Sequence, residues 1–121
     1  MVSVLLVGAG GFCGAVFRYL MYFIPLRHEF PIITLVINVL GSFVIGLASE
    51  LLTDDLHRKF VMTGLCGGFT TFSAFSHETF SLLDNRNYAL AGVYAVGSVL
   101  TCVFGTYLGI AVGKAIKTGN A

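Results

Sequence analysis

Long apolar runs, separated by short clusters of prolines, charges and turn formers, set the organisation of this chain. A helix needs about 20 predominantly apolar residues to cross a hydrocarbon core. The pattern predicts four such spans, over residues 2–24, 32–52, 59–83 and 88–113. The first carries one charge, Arg18, and Pro25 ends it, because a residue preceding proline is pushed out of the helical region. Pro-Leu-Arg-His-Glu-Phe-Pro, residues 25–31, makes a short turn between the first two spans. The second span is uncharged until Glu50, and Thr53-Asp-Asp-Leu-His-Arg58 is the next polar loop. Asp84-Asn-Arg-Asn87 is a run of turn formers, and no charge follows until Lys114 and Lys117. The reading is a single all-α integral membrane domain over residues 1–121, with four transmembrane helices.

The third span is not an ordinary lipid-facing helix. Residues 64–75 read Gly-Leu-Cys-Gly-Gly-Phe-Thr-Thr-Phe-Ser-Ala-Phe. Gly67 and Gly68 each cost about 1 kcal/mol inside a helix relative to alanine. Thr70, Thr71 and Ser73 add hydroxyls that compete for backbone partners. The run predicts a helix broken near its middle, within this glycine- and hydroxyl-rich stretch. Loosened backbone at membrane depth survives only when buried in protein or lining a polar cavity. Broken helices of this kind bind ions and small polar solutes.

Composition removes most other classes. The 121 residues are 56% hydrophobic with a mean hydropathy of +0.88, and only 11% are charged; a soluble domain carries about 25% charged residues. Seven Lys and Arg against six Asp and Glu give no charge excess for a nucleic-acid partner. Cys13, Cys66 and Cys102 stand in apolar stretches, as buried thiols do, with no disulfide framework and no zinc spacing. The first residues lack a basic leading region and read as a first span rather than a cleaved signal. No nucleophile–base pair or metal-water site is visible, so no enzyme is expected. Arg58, Lys59, Lys114 and Lys117 fall on the side of the termini, against Arg18, Arg27 and Arg86 opposite. This bias is small: it sets one orientation weakly, or allows insertion both ways and an antiparallel two-fold dimer.

Polar residues inside the spans fall on faces. Thr34, Asn38 and Ser42 recur every fourth position of the second span; Tyr94, Ser98 and Cys102 repeat the pattern in the fourth. Two readings stay open: helix–helix glue, or the lining of a pathway. Gly10 and Gly14, and the ridge Gly97, Thr101, Gly105, Gly109, Gly113, read as packing seams. Phe69, Phe72, Phe75 and Phe80 interleave with Thr70, Thr71, Ser73 and Ser76. Such phenylalanines serve as core or lipid contact, or present their positive ring edges to an anion that hydroxyls also hold weakly. Arg18 either attracts an anion at a pore mouth or snorkels to the interface. His77 and Glu78 are vestibule residues or lie near the headgroups.

Gly67-Gly-Phe-Thr-Thr-Phe-Ser-Ala-Phe75, Asn38-Val-Leu-Gly-Ser42 and Gly11-Phe-Cys-Gly-Ala-Val-Phe-Arg-Tyr19 together resemble the Fluc (CrcB-type) fluoride channels, over essentially the whole chain. The resemblance implies a dual-topology antiparallel homodimer in the cell (inner) membrane of a microbe, with two pores releasing cytoplasmic fluoride passively. It implies that Asn38 and Thr34 line the pore and that Phe72 and Phe75 turn ring edges to fluoride. Tyr94, Ser98, Arg18 and Glu78 match further family positions, and Cys102 stands where members carry serine. A structural sodium ion (Na+) at the dimer centre is implied on the backbone carbonyls of Gly67 and Thr70. One rival is a small four-helix multidrug antiporter, which needs a carboxylate deep in the membrane; Glu50 and Glu78 lie near span ends and the chain has no Trp. The other is a non-transporting membrane assembly subunit whose polar stripes are glue alone.

Overall fold

The computed structural model describes residues 1–26 and 30–119. Arg27, counted above among the charges opposite the termini, lies outside them. Helix α1 is Val2–Met21 and α2 is Ile32–Leu51. A short helix α3, Asp55–Arg58, runs into a π-helical stretch, Lys59–Cys66, and then α4, Gly67–Phe69. Helix α5 is Phe72–Asp84 and α6 is Tyr88–Lys117, with no strand among the described residues. α1, α2 and α6 are each long and apolar enough to cross a membrane. Their outer faces are apolar (Val4, Phe12, Phe17, Val96, Leu100 and Phe104 are exposed), as lipid requires.

α1 stops three residues short of the predicted end. The chain tightens ahead of Pro25, with Phe23 N–H donating to Leu20 O (3.1 Å) and Ile24 N–H to Met21 O (3.1 Å). α6 runs four residues beyond its predicted end. Gly113 packs against Glu50 instead of ending the helix, and Gly119 (φ 76) takes the left-handed position that does. Lys114 and Lys117 lie in that last turn, where the helix dipole favours cations.

Lys59 Nζ donates to Ser3 Oγ (3.0 Å), and Lys117 Nζ lies 3.5 Å from Glu50 Oε2. These contacts gather the start of α1, the end of α2, the start of the π-helical stretch and the end of α6 at one end of the bundle. α1 therefore runs parallel to the third stretch, and α2 parallel to α6. Each pair packs closely, while α1 and α2 scarcely touch.

Small residues make that closeness possible. A Cβ on Gly14 would collide with the carbonyl of Leu65, and one on Gly109 with the carbonyl of Phe43. A Cβ on Gly68 would lie 2.6 Å from Gly11 O. The ridge predicted on α6 divides: Gly105, Gly109 and Gly113 are buried against α2, whereas Gly97 faces open space and Thr101 is exposed. Gly14→Ala is expected to cost about 1–3 kcal/mol through backbone displacement. Gly92→Ala, with nothing within 4 Å of its Cβ, should be neutral or stabilising. Thermal unfolding of the two variants in detergent checks the contrast.

The break falls inside the run expected from the sequence, at its threonines rather than its glycines. Gly67 is helical (φ −61, ψ −37), and the extended residues are Thr70 (φ −75, ψ 157) and Thr71 (φ −146, ψ 114). Gly68 serves the close approach to α1 and does not loosen the helix. The π-helical turn ahead of the break was not expected; such turns concentrate at functional sites.

Candidate functional site at the helix break

Thr70 closes α4, its N–H and its hydroxyl both donating to Cys66 O (3.0 and 2.9 Å). Thr71 opens α5, its Oγ1 accepting from Ala74 N–H at 3.1 Å, as an N-cap threonine does. The backbone of Thr71 then has no helical partners, and Asn38 supplies both. Thr71 N–H donates to Asn38 Oδ1 (2.8 Å), and Asn38 Nδ2 donates to Thr71 O (3.1 Å). An amide suits this task because it donates and accepts at once. From the other side, Arg18 Nε donates to Gly68 O (3.2 Å). Among the described residues, no hydrogen-bond donor reaches the carbonyls of Gly67 and Thr70.

Beside the break lies a groove of about 370 Å³, open along one side. Asn38, Ser42, Thr71, Phe72, Phe75 and Ser98 are among its lining residues, with Gly67, Thr70 and Cys102. Ser98 is only 6% exposed, and its Oγ has no hydrogen-bond partner among the described residues. A buried hydroxyl without a partner costs free energy unless a solute or water meets it. Phe72 is 76% exposed; its ring centroid is 5.5 Å from that of the half-buried Phe75. Phe75 leans in turn on Tyr94 at 5.1 Å.

Behind Phe75 sits a polar cluster. Tyr94, fully buried, donates its hydroxyl to Glu78 Oε1 (2.9 Å). Thr34, also fully buried, donates to Glu78 Oε2 (2.8 Å) and lies 2.7 Å from the Tyr22 hydroxyl. Glu78 does not line the groove. It borders two further cavities, of about 480 and 610 Å³, at the end of the bundle where α1 finishes and α6 begins. The groove thus offers an amide, hydroxyls and aromatic rings, and no carboxylate. Neutral donors and positive ring edges suit a small anion held weakly enough to leave.

The residues singled out in the sequence divide into three places. Asn38, Phe72, Phe75 and Ser98 meet at the groove, with Gly67 and Thr70 at its break. Thr34, Tyr94 and Glu78 form the cluster behind it. Arg18 joins neither: it is half-buried on the α1 side and bonded to the break. Thr71 was already among the hydroxyls singled out at the break, whereas Tyr22 was not expected. Thr71 carries an N-cap signal, a threonine opening an apolar helical run. Tyr22 has no spacing signal, standing one residue past α1 and reaching a partner 12 residues ahead across the turn.

Known proteins resemble this chain along nearly its whole length. A protein of Elusimicrobium minutum (strain Pei191), named fluoride-specific ion channel FluC, is 46% identical over 116 residues, covering 92% of this chain and 93% of its own. Proteins of the same name from Chlorobium chlorochromatii (strain CaD3) and Methanococcus maripaludis are 45% and 42% identical. They cover 88% and 90% of this chain, and 88% and 93% of their own. The model of the CrcB-like protein family (Camphor Resistance, CrcB) matches residues 5–110, the two helix pairs and the break between them, and the chain belongs to that family.

Proposed function

We propose that this chain forms a passive fluoride channel in the cytoplasmic (inner) membrane of a microbe, letting cytoplasmic fluoride leave. The observation that carries the reading is the groove. The unpartnered hydroxyl of Ser98, the Asn38 amide and the rings of Phe72 and Phe75 meet there without a carboxylate. The relatives at 42–46% identity bear the name of such a channel. α1, α2 and α6 cross the membrane, and the third stretch crosses as a broken helix.

The groove is open along one side and Phe72 projects from it, so a second copy completes the pathway. The small charge bias permits both orientations, and an antiparallel two-fold dimer closes two equivalent pores. The free carbonyls of Gly67 and Thr70 fit a hard cation, which takes oxygen ligands. We assign them to a structural sodium ion at the dimer centre. Its positive charge supplies the partner that these carbonyls lack within the chain. Antiport is less well supported: Glu50 is paired with Lys117 at the bundle end, and Glu78 is held by two hydroxyls away from the groove.

Ser98→Ala tests the reading. Removing a hydroxyl without a protein partner should leave thermal stability unchanged. It should slow fluoride release from liposomes by about tenfold, the worth of one hydrogen bond to an ion. Release at the wild-type rate would mean that fluoride does not pass Ser98.

A further inference from the structure

Tyr22 belongs to no motif, lies outside the groove, and makes a hydrogen bond that reaches the buried cluster. It follows directly on α1, is 39% exposed, and lines the cavity of about 480 Å³ together with Pro25, Phe30, Thr34 and Glu78. Its hydroxyl lies 2.7 Å from Thr34 Oγ1, and Thr34 donates its one proton to Glu78 Oε2 at 2.8 Å. A hydroxyl has a single proton to give. With that of Thr34 spent on Glu78, Tyr22 must be the donor in the pair. The chain of donation therefore runs from the cavity inward, Tyr22 to Thr34 to Glu78, and meets Tyr94 donating from the opposite side.

We propose that Tyr22 is a positioning residue: its hydroxyl commits the proton of Thr34 to Glu78, and so fixes the carboxylate and Tyr94 behind Phe75. A threonine in a helix otherwise returns its proton to a carbonyl three or four residues back; three back from Thr34 is the N-cap residue Pro31. Donation from Tyr22 to the Thr34 oxygen polarises that hydroxyl and favours the outward bond, since linked hydrogen bonds strengthen one another. Loss of the Thr34 bond would leave Glu78 held by Tyr94 alone among the hydroxyls described. Tyr94 would then shift, and with it Phe75, whose ring centroid is 5.1 Å from its own. Tyr22 is also the one described residue whose side chain bonds the end of α1 to α2. The backbone turn at this cavity is thereby tied to the conducting groove.

The inference rests on the fluoride reading for its functional consequence, and on geometry alone for its structural one, so two measurements separate them. The first is the infrared carboxylate stretch of Glu78 in the purified protein, identified by its disappearance in Glu78→Gln. Tyr22→Phe should shift that band, and Tyr88→Phe, at an exposed tyrosine, should not. An unmoved band in Tyr22→Phe overturns the proposal whatever the protein transports. The second is initial fluoride efflux from liposomes over a range of fluoride concentrations. Tyr22→Phe should raise the half-saturating concentration by about three- to tenfold, the worth of one hydrogen bond. The maximal rate and the melting temperature should stay near wild type. Adding Tyr22→Phe to Thr34→Val should do no further harm, because both remove one link. Additive losses, or a wild-type half-saturation in Tyr22→Phe, overturn the role in conduction. A wild-type protein without fluoride efflux would instead defeat the channel reading, while the infrared result still decides the position of Glu78.

Discussion

Phe75→Ile is expected to reduce fluoride efflux by about a hundredfold or more, a barrier increase near 2.7 kcal/mol. Isoleucine keeps the apolar character and much of the bulk, so the contact with Tyr94 is only partly lost and the fold should persist. What disappears is the aromatic quadrupole, the one source of positive edge potential that a phenyl ring offers an anion. Ser98 and Asn38 remain as donors in the groove, but the positive ring edge is replaced by hydrocarbon. Phe72→Ile should behave alike, since the two rings stand 5.5 Å apart and share the groove. The check is efflux from liposomes carrying each variant, with the oligomeric state measured on the same preparation. An assembled protein conducting normally with isoleucine at both positions would mean that the rings are packing only.

Asn38→Asp is the second large effect, and its two causes can be told apart. The aspartate still accepts from Thr71 N–H, but a carboxylate oxygen now faces Thr71 O where the Asn38 amide had donated at 3.1 Å. Losing that bond and leaving the carbonyl unsatisfied costs about 1–3 kcal/mol, visible as a lower melting temperature. Separately, the negative charge enters a groove that otherwise holds no carboxylate. Repulsion of an incoming anion in a low-dielectric setting should lower flux by about another hundredfold per folded protein, because Coulomb terms are weakly screened there. Flux is therefore measured against the amount of folded protein, not total protein. A destabilised variant with normal flux per folded molecule would leave Asn38 as the clamp of the break and nothing more.

The seam and the stripe were legible because they are periodic. Gly10 and Gly14 on one side, and Gly105, Gly109 and Gly113 on the other, recur every fourth residue and pack as that spacing requires. Thr34, Asn38 and Ser42 recur in the same way, and each meets different partners in the structure. Thr34 turns to Glu78, Asn38 both clamps the break and lines the groove, and Ser42 lines the groove. The break was legible as the run 64–75, but which of its residues turn extended was not. Glycine propensity pointed to Gly67 and Gly68, but tertiary packing against Gly11 makes a small residue useful there within a helix. The extended pair Thr70–Thr71 depends on Asn38, 33 residues away, which no local pattern reveals. The partner of Arg18 was not legible for a similar reason: the carbonyl of Gly68, 50 residues away, is brought to it only by the packing of α1 against the break. Tyr22 illustrates the limit of periodicity altogether, since it acts from a turn.

If the groove is the fluoride pathway, it passes fluoride and little else. The direct measurement is release of fluoride and chloride, side by side, from liposomes containing the purified wild-type protein with the potential clamped by a potassium ionophore. Rapid fluoride release is expected, with chloride release at the rate of protein-free vesicles. A well-folded, assembled protein that releases neither anion, or both alike, would contradict it.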